Sequence, residues 1–158
     1  MSRPPRAALA GLVAAIALGA AAFVPATARG QGMVPGRQVT VFGVLATQGQ
    51  GQDDPKLKDI LPQLRAAMPG HSFKLLKVAS KRVAAGEAVE CDLGGGSVAA
   101  TRLMTPLDAN GKVQLQFQFS DNGLPIYSSV VSTPPNQVFY VNRVIGPGER
   151  LIIGIGAR

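Results

Sequence analysis

The sequence predicts an α+β fold that is mainly β: about seven antiparallel strands, in a meander or small sandwich, with one amphipathic helix packed on the sheet. Three observations predict it. Beyond His71, turn signals such as "GGGS", "DANG", "SDNG", "TPPN" and "GPGE" recur between segments rich in Val, Ile, Leu and Phe. One segment, from Leu57 to Met68, instead places its apolar residues at helical spacing. Finally, "KVQLQFQF" alternates apolar residues with glutamine, the period of a half-buried strand.

In chain order, residues 1–28 have the parts of a secretory signal. Arg3 and Arg6 form a basic start, an apolar run extends from Ala7 to Val24, and the small-residue triplet "ATA" ends at Ala28. The run is mostly Ala and Gly, which gain little in hydrocarbon, so it reads as a cleaved export signal rather than a retained anchor. The expected product is periplasmic or extracellular, with membrane contact only through the signal segment before cleavage. About 130 residues remain, enough for one domain with its own core. Residues 29–37 read as a flexible leader, and 38–158 as a single β-rich domain.

"QVTVFGVLA", Gln38 to Ala46, is nearly continuously apolar and β-branched, as expected of a strand covered on both faces. "TQGQGQDD" is a loop ending at Asp54, a suitable N-cap, with Pro55 at the first helical position. A helix over about 55–68 then carries Leu57, Ile60, Leu61, Leu64 and Met68 on one stripe, kinked at Pro62 and stopped by Pro69 and Gly70. "SFKLLKVASKRV" is one long strand or two. In "EAVECDL", Val89, Cys91 and Leu93 point one way and Glu90 and Asp92 the other. "VAATRLMTPL" precedes the alternating segment, in which Val113, Leu115, Phe117 and Phe119 face the core while Gln114, Gln116 and Gln118 face out. "LPIYSSVVS", "QVFYVNRVI" and "RLIIGIGA" complete the strands.

Composition narrows the chemistry. The chain has one Cys and one His, so neither an internal disulfide nor a histidine-based metal cluster is expected. Cys91 lies on an apolar face and reads as a buried, inert thiol. The acids Asp53, Asp54, Glu87, Glu90 and Asp92 lack the spacing of a calcium loop. "GIG", Gly154 to Gly156, lacks the third glycine and following helix of a dinucleotide fingerprint. "GGG", Gly94 to Gly96, lacks the Lys and Ser/Thr of a phosphate loop. No cofactor and no metal are expected.

A formal charge of +7 is a mild basic excess, which in an exported protein points to anionic envelope polymers before nucleic acid. With no Trp and two Tyr, stacking platforms for unpaired bases are poorly supplied, and no nucleic-acid partner is expected. Lys74, Lys77, Lys81 and Arg82 form the one basic cluster. Strict alternation divides it, Lys77 and Lys81 on one side and Lys74 and Arg82 on the other.

The segments "DDPKLKDILPQLRAAMPGHSFKLLKVASKRVAAGEAVECDLGGG", "PLDANGKVQLQF" and "STPPNQVFYVNRVIGPGERLIIGIGAR" together resemble a group of small exported bacterial proteins in which a short helix precedes antiparallel strands and a glycine-rich strand closes the chain. The resemblance implies export and a β-rich fold, and brings no activity, cofactor or catalytic residue with it.

The expected function is a non-catalytic structural or adaptor module of the envelope or extracellular space. Its expected partner is another envelope protein or an anionic envelope polymer, met through a sheet face or edge. Gln114, Gln116, Gln118, Lys77 and Lys81 are the candidate binding residues. The alternatives are a small-ligand binder with a pocket between helix and sheet, and a hydrolase using His71 beside a serine such as Ser72 or Ser97.

Overall fold

The computed structural model of the chain describes residues 35–158, so the expected signal over 1–28 and most of the leader lie outside the described residues. Strand β1, Gly36–Gln48, begins inside the segment read as leader. A 3-10 turn, Pro55–Leu57, and a short helix α1, Leu61–Ala67, follow. Seven more strands complete the fold: β2, His71–Ala84; β3, Ala88–Gly94; β4, Ser97–Thr105; β5, Val113–Asp121; β6, Leu124–Thr133; β7, Val138–Gly146; and β8, Glu149–Ala157. Among the described residues the strands number eight rather than seven, and they form two four-stranded antiparallel sheets.

The first sheet has the order β2-β1-β8-β7 and the second β3-β4-β5-β6. Only the second is a meander. In the first, the last strand returns beside the first, Val39 opposite Ala157 and Thr47 opposite Glu149. Burial explains why β8 lacks alternation: everything from Leu151 to Ala157 is buried, because this strand lies inside the sheet with both faces covered.

β1 is likewise read on both faces. Val39 and Val41 join a core shared with Val89, Cys91, Leu103, Leu115, Phe117 and Phe119 of the second sheet and Ile153 and Ile155 of β8. Phe42, Val44 and Ala46 point the other way and meet Leu57, Leu64, Met68, Phe73 and Ile152. All five residues of the predicted helical stripe belong to this second cluster, with Ile60 and Leu61 partly buried. These side chains pack against one another between helix and sheet.

The single helix over 55–68 is also corrected. It is two pieces, because Pro62 has no N–H and its ring clashes with a preceding carbonyl; the chain restarts a helix with Pro62 in its first turn. Asp54 caps the first piece, accepting from the Lys56 amide at 3.0 Å. Its neighbour Asp53 accepts from the Phe73 amide at 2.9 Å and pairs with Arg65, tying loop, helix and β2 together. These two acids fasten the helical segment to β2.

β2 is one continuous strand, paired with β1 from Gly36 opposite Ala84 to Gln48 opposite His71. A bulge skips Leu76, with Lys77 opposite Gly43 and Leu75 opposite Val44. The extra residue shifts the side-chain phase. Lys74, opposite Leu45, therefore falls on the same side of the sheet as Lys77 and Lys81, while Arg82 alone stays on the other, correcting the alternation drawn from sequence.

Two turn signals are met by backbone geometry. Asn122 and Gly123 both have positive φ, 49° and 78°, as a two-residue hairpin loop between β5 and β6 requires. Gly154 is needed for a different reason. A Cβ there would strike the Phe42 ring, which lies across it from β1 and meets Tyr140 edge-on at 6.2 Å between centroids.

Two outcomes follow. Gly154→Ala displaces Phe42 and destabilises the fold by about 1–3 kcal/mol in denaturant unfolding. In a Phe42→Ala background the same change costs distinctly less, and additivity of the two losses would refute the contact. Separately, hydrogen bonding from Arg65, aided by the Phe73 amide, holds the Asp53 carboxyl below its ordinary value of 3.8. A lowered folded pKa stabilises fully above the ordinary value and is lost as pH falls through the folded one. The gap in melting temperature between wild type and Asp53→Asn should thus narrow below about pH 4; a constant gap would exclude the linkage.

Candidate functional site

The two sheets meet differently at their two sides. On one side the edge strand β2 lies against β3, and both carry charge: Lys74, Lys77, Lys81 and Arg82 on β2, Glu90 and Asp92 on β3, all exposed. On the other side stand the edges β6 and β7, not hydrogen-bonded to each other. β6, "LPIYSSVVST", has no charged residue, and β7, "VFYVNRVIG", has only Arg143.

Register decides which side chains turn inward here. Tyr127 lies opposite Phe119 and Ser129 opposite Phe117, placing them on the core side of β6. Phe139, Val141 and Arg143 lie opposite Ile155, Ile153 and Leu151, on the core side of β7. Between the two edges is a cleft of about 480 Å³ lined by Phe119, Ile126, Tyr127, Val141, Asn142, Arg143 and Ile153. Its floor is the core itself, since Phe119 is 3% and Ile153 1% exposed, while Ile126 at 51% and Tyr127 at 47% form the rim.

Arg143 is the polar group of this cleft with a charge. Its guanidinium carbon stands 5.0 Å from the Phe119 ring centroid, a cation–π contact. Its Nη1 is buried and has no hydrogen-bond partner among the described residues. A guanidinium stays charged under all ordinary conditions, so this donor lacks an acceptor that its chemistry demands. A second hollow of about 420 Å³, reached by Arg143 with Asp121, Asn122 and Leu93, adjoins the end of the sheets.

The predicted site residues do not converge on this cleft. Gln114, Gln116 and Gln118 do form a row on the outer face of the second sheet, opposite Thr105, Arg102 and Ala100 of β4. Gln114 is occupied, its Nε2 donating to Asp108 at 3.4 Å and its Oε1 accepting from Thr105 at 3.3 Å. Gln116, beside the exposed Val130, and Gln118 make no side-chain hydrogen bond among the described residues. Lys77 and Lys81 lie at the β2–β3 seam, where Lys81 and Glu90 share an open hollow with Ala79 and Ala88.

His71 begins β2, its Nδ1 at 3.2 Å from the Pro69 carbonyl. It shares a small hollow with Glu149, Arg150 and Gln48, and no Ser, Thr or Cys lines that space. Ser72 donates to the Thr47 carbonyl at 3.4 Å, and Ser97 lines the hollow at the other end of β4 with Asp121. No hydrogen bond among the described residues joins His71 to either serine. Among the described residues no group of three or more His, Cys, Asp or Glu is gathered for a metal ion.

A groove of about 240 Å³ also crosses the outer face of the first sheet, over Gly156, between Phe42, Thr40 and Val138. Of its polar lining, Gln38 and Thr40 both bond Ser80, at 2.8 and 2.7 Å, and Asn136, Gln137 and Arg158 line it as well. The β6–β7 cleft differs in that a buried charged donor without a partner and exposed apolar surface coincide there.

Arg143 escapes sequence reasoning because a single basic residue in an apolar strand breaks no pattern. The available signal was its phase, two positions beyond Val141 and four beyond Phe139 on one side of a strand. The chain matches no family model, no curated protein and no solved structure.

Cys91 is buried at 1% exposure between Val89 and Leu93, and burial pushes its thiol pKa up. A thiol reagent should leave it unmodified in the native protein and label it fully in denaturant; rapid native labelling would refute its burial.

Proposed function

We propose that this chain is a non-catalytic interaction module, exported from the cytoplasm, whose two sheets form a β-sandwich and whose β6 edge pairs with an extended segment of another protein. One observation carries the proposal: β6 is a ten-residue edge strand without a single charged residue, and Leu124, Ile126, Tyr127 and Val130 are exposed along it. An unpaired edge is a template for any passing strand, and proteins ordinarily blunt it with charge. This protein does so on β2 and β3, whereas on the opposite side β7 carries only Arg143 and β6 carries no charge at all, which makes β6 the edge best suited to be covered.

Export is supported by the basic start, apolar run and "ATA" triplet of residues 1–28. Among the described residues no helix is long and apolar enough to cross a membrane. The glutamine face is a weaker docking surface than the edge, because water satisfies free amides and leaves little to gain when they are covered.

The test is photocrosslinking in cells, with the reactive group at Ser128 in β6 or, as control, at Lys81 in β2. A discrete adduct with another protein, outside the cytoplasm, is expected from Ser128 alone. It should be lost in Val130→Lys, which places a charge on the edge. Equal adducts from both positions, or none from Ser128, would overturn edge pairing; full-length chain confined to the cytoplasm would overturn export.

A further inference from the structure

We propose that the cleft between β6 and β7 binds an amphiphilic monocarboxylate of the fatty-acid class, with its carboxylate on the guanidinium of Arg143 and its alkyl chain against Phe119, Tyr127 and Ile153. This inference does not depend on strand pairing at β6.

The cavity volume of about 480 Å³ falls within the range of small-ligand sites. Its walls are those of such a site: five apolar or aromatic side chains, one amide, Asn142, and one cationic group, Arg143. Arg143 fixes the sign of the ligand. The Phe119 ring lies beneath the guanidinium carbon but offers no oxygen acceptor, and Nη1 is left buried without one. Asp121 lies in the adjoining hollow yet makes no ion pair with Arg143; its carboxylate is within 3.5 Å of Ser97 Oγ instead. An anionic oxygen of the ligand would meet this demand and balance the charge, and a carboxylate matches the fork of the guanidinium with two parallel acceptors.

The rest of the ligand is fixed by the walls. Among the cleft residues Arg143 is the only charged one, so beyond the head group the ligand has no further charge to place. Ile126 and Tyr127, half exposed at the rim, are the surface that an alkyl chain would cover on leaving the cleft.

The experiment uses the full chain and a series of saturated fatty acids below their micelle concentrations, with dodecanol as the neutral comparison, followed by calorimetry. Affinity is expected to rise about fourfold for each methylene from octanoate to dodecanoate, the factor that corresponds to about 0.8 kcal/mol per buried CH₂. Dodecanol is expected to bind at least about tenfold more weakly, and Arg143→Gln to abolish that difference while Lys81→Gln keeps it. Acid and alcohol binding equally, an acid preference that survives Arg143→Gln, or no binding of any chain length would overturn the proposal. Should Arg143→Gln lose its native far-UV spectrum, contacts of the bound acid in wild-type protein decide the matter by NMR. Contacts from alkyl protons to the Phe119 and Tyr127 rings are expected, and contacts located elsewhere on the chain would overturn it.

Discussion

The pairing of β1 with β8 is the constraint on which the molecule depends. Without it the first sheet is two separate hairpin-like pairs, β1 with β2 and β7 with β8, neither with its inner strand covered on both edges. With it, Val39 and Val41 stand beside Ala157 and Ile155 on one face, and Val44 beside Ile152 on the other. The two apolar clusters lie on opposite faces of this strand pair, so each is completed by the same set of backbone hydrogen bonds. Backbone bonds outside the ladder extend it, Gln38 and Arg158 exchanging both at 2.8 and 3.0 Å.

Side-chain volume follows from that constraint. A strand covered on both faces must fit two layers at once, and the Phe42 ring needs room on the outer one. Gly154 supplies it, and Ile152, Ile153 and Ile155 fill the rest. The helix then closes over Phe42 and Val44 at one end of the sheet, fastened by the Tyr140 hydroxyl donating to Gln63 at 3.1 Å and by the Asp53 bonds to Arg65 and Phe73. Toward the other end the outer face stays open above Gly156.

Much of this was legible in the sequence, and the limits are physical. Alternation named the inward residues of β3 and β5 because each has one wet face, and continuous hydrophobicity marked β1 as doubly covered. Turn chemistry located the Asn122-Gly123 hairpin. Phase after a bulge is different: nothing in "KLLKVASK" announces that Leu76 is skipped, and one skipped residue moved Lys74 to the other side. Strand order was equally hidden. "LPIYSSVVS" reads as a strand, but whether it lies at an edge depends on partners chosen far away in the chain, and so does the cleft around Arg143. The glycines of "GIG" had no legible purpose until Phe42 lay across the first of them.

The two sheets also differ in how far the chain must travel to build them. The second joins each strand to the next along the chain, so every loop to be closed is short; the first must bring Val39 to Ala157 before its inner strands gain anything. Loop closure therefore costs less for the second sheet than for the β1–β8 pairing that closes the first. Until that pairing forms, the inner faces of Phe117 and Phe119 have no β8 to cover them, and bare β6 is the edge beside them. The edge strand without charge is thus the one through which half-assembled chains would stick to each other, which ties yield as well as shape to the closing of the first sheet.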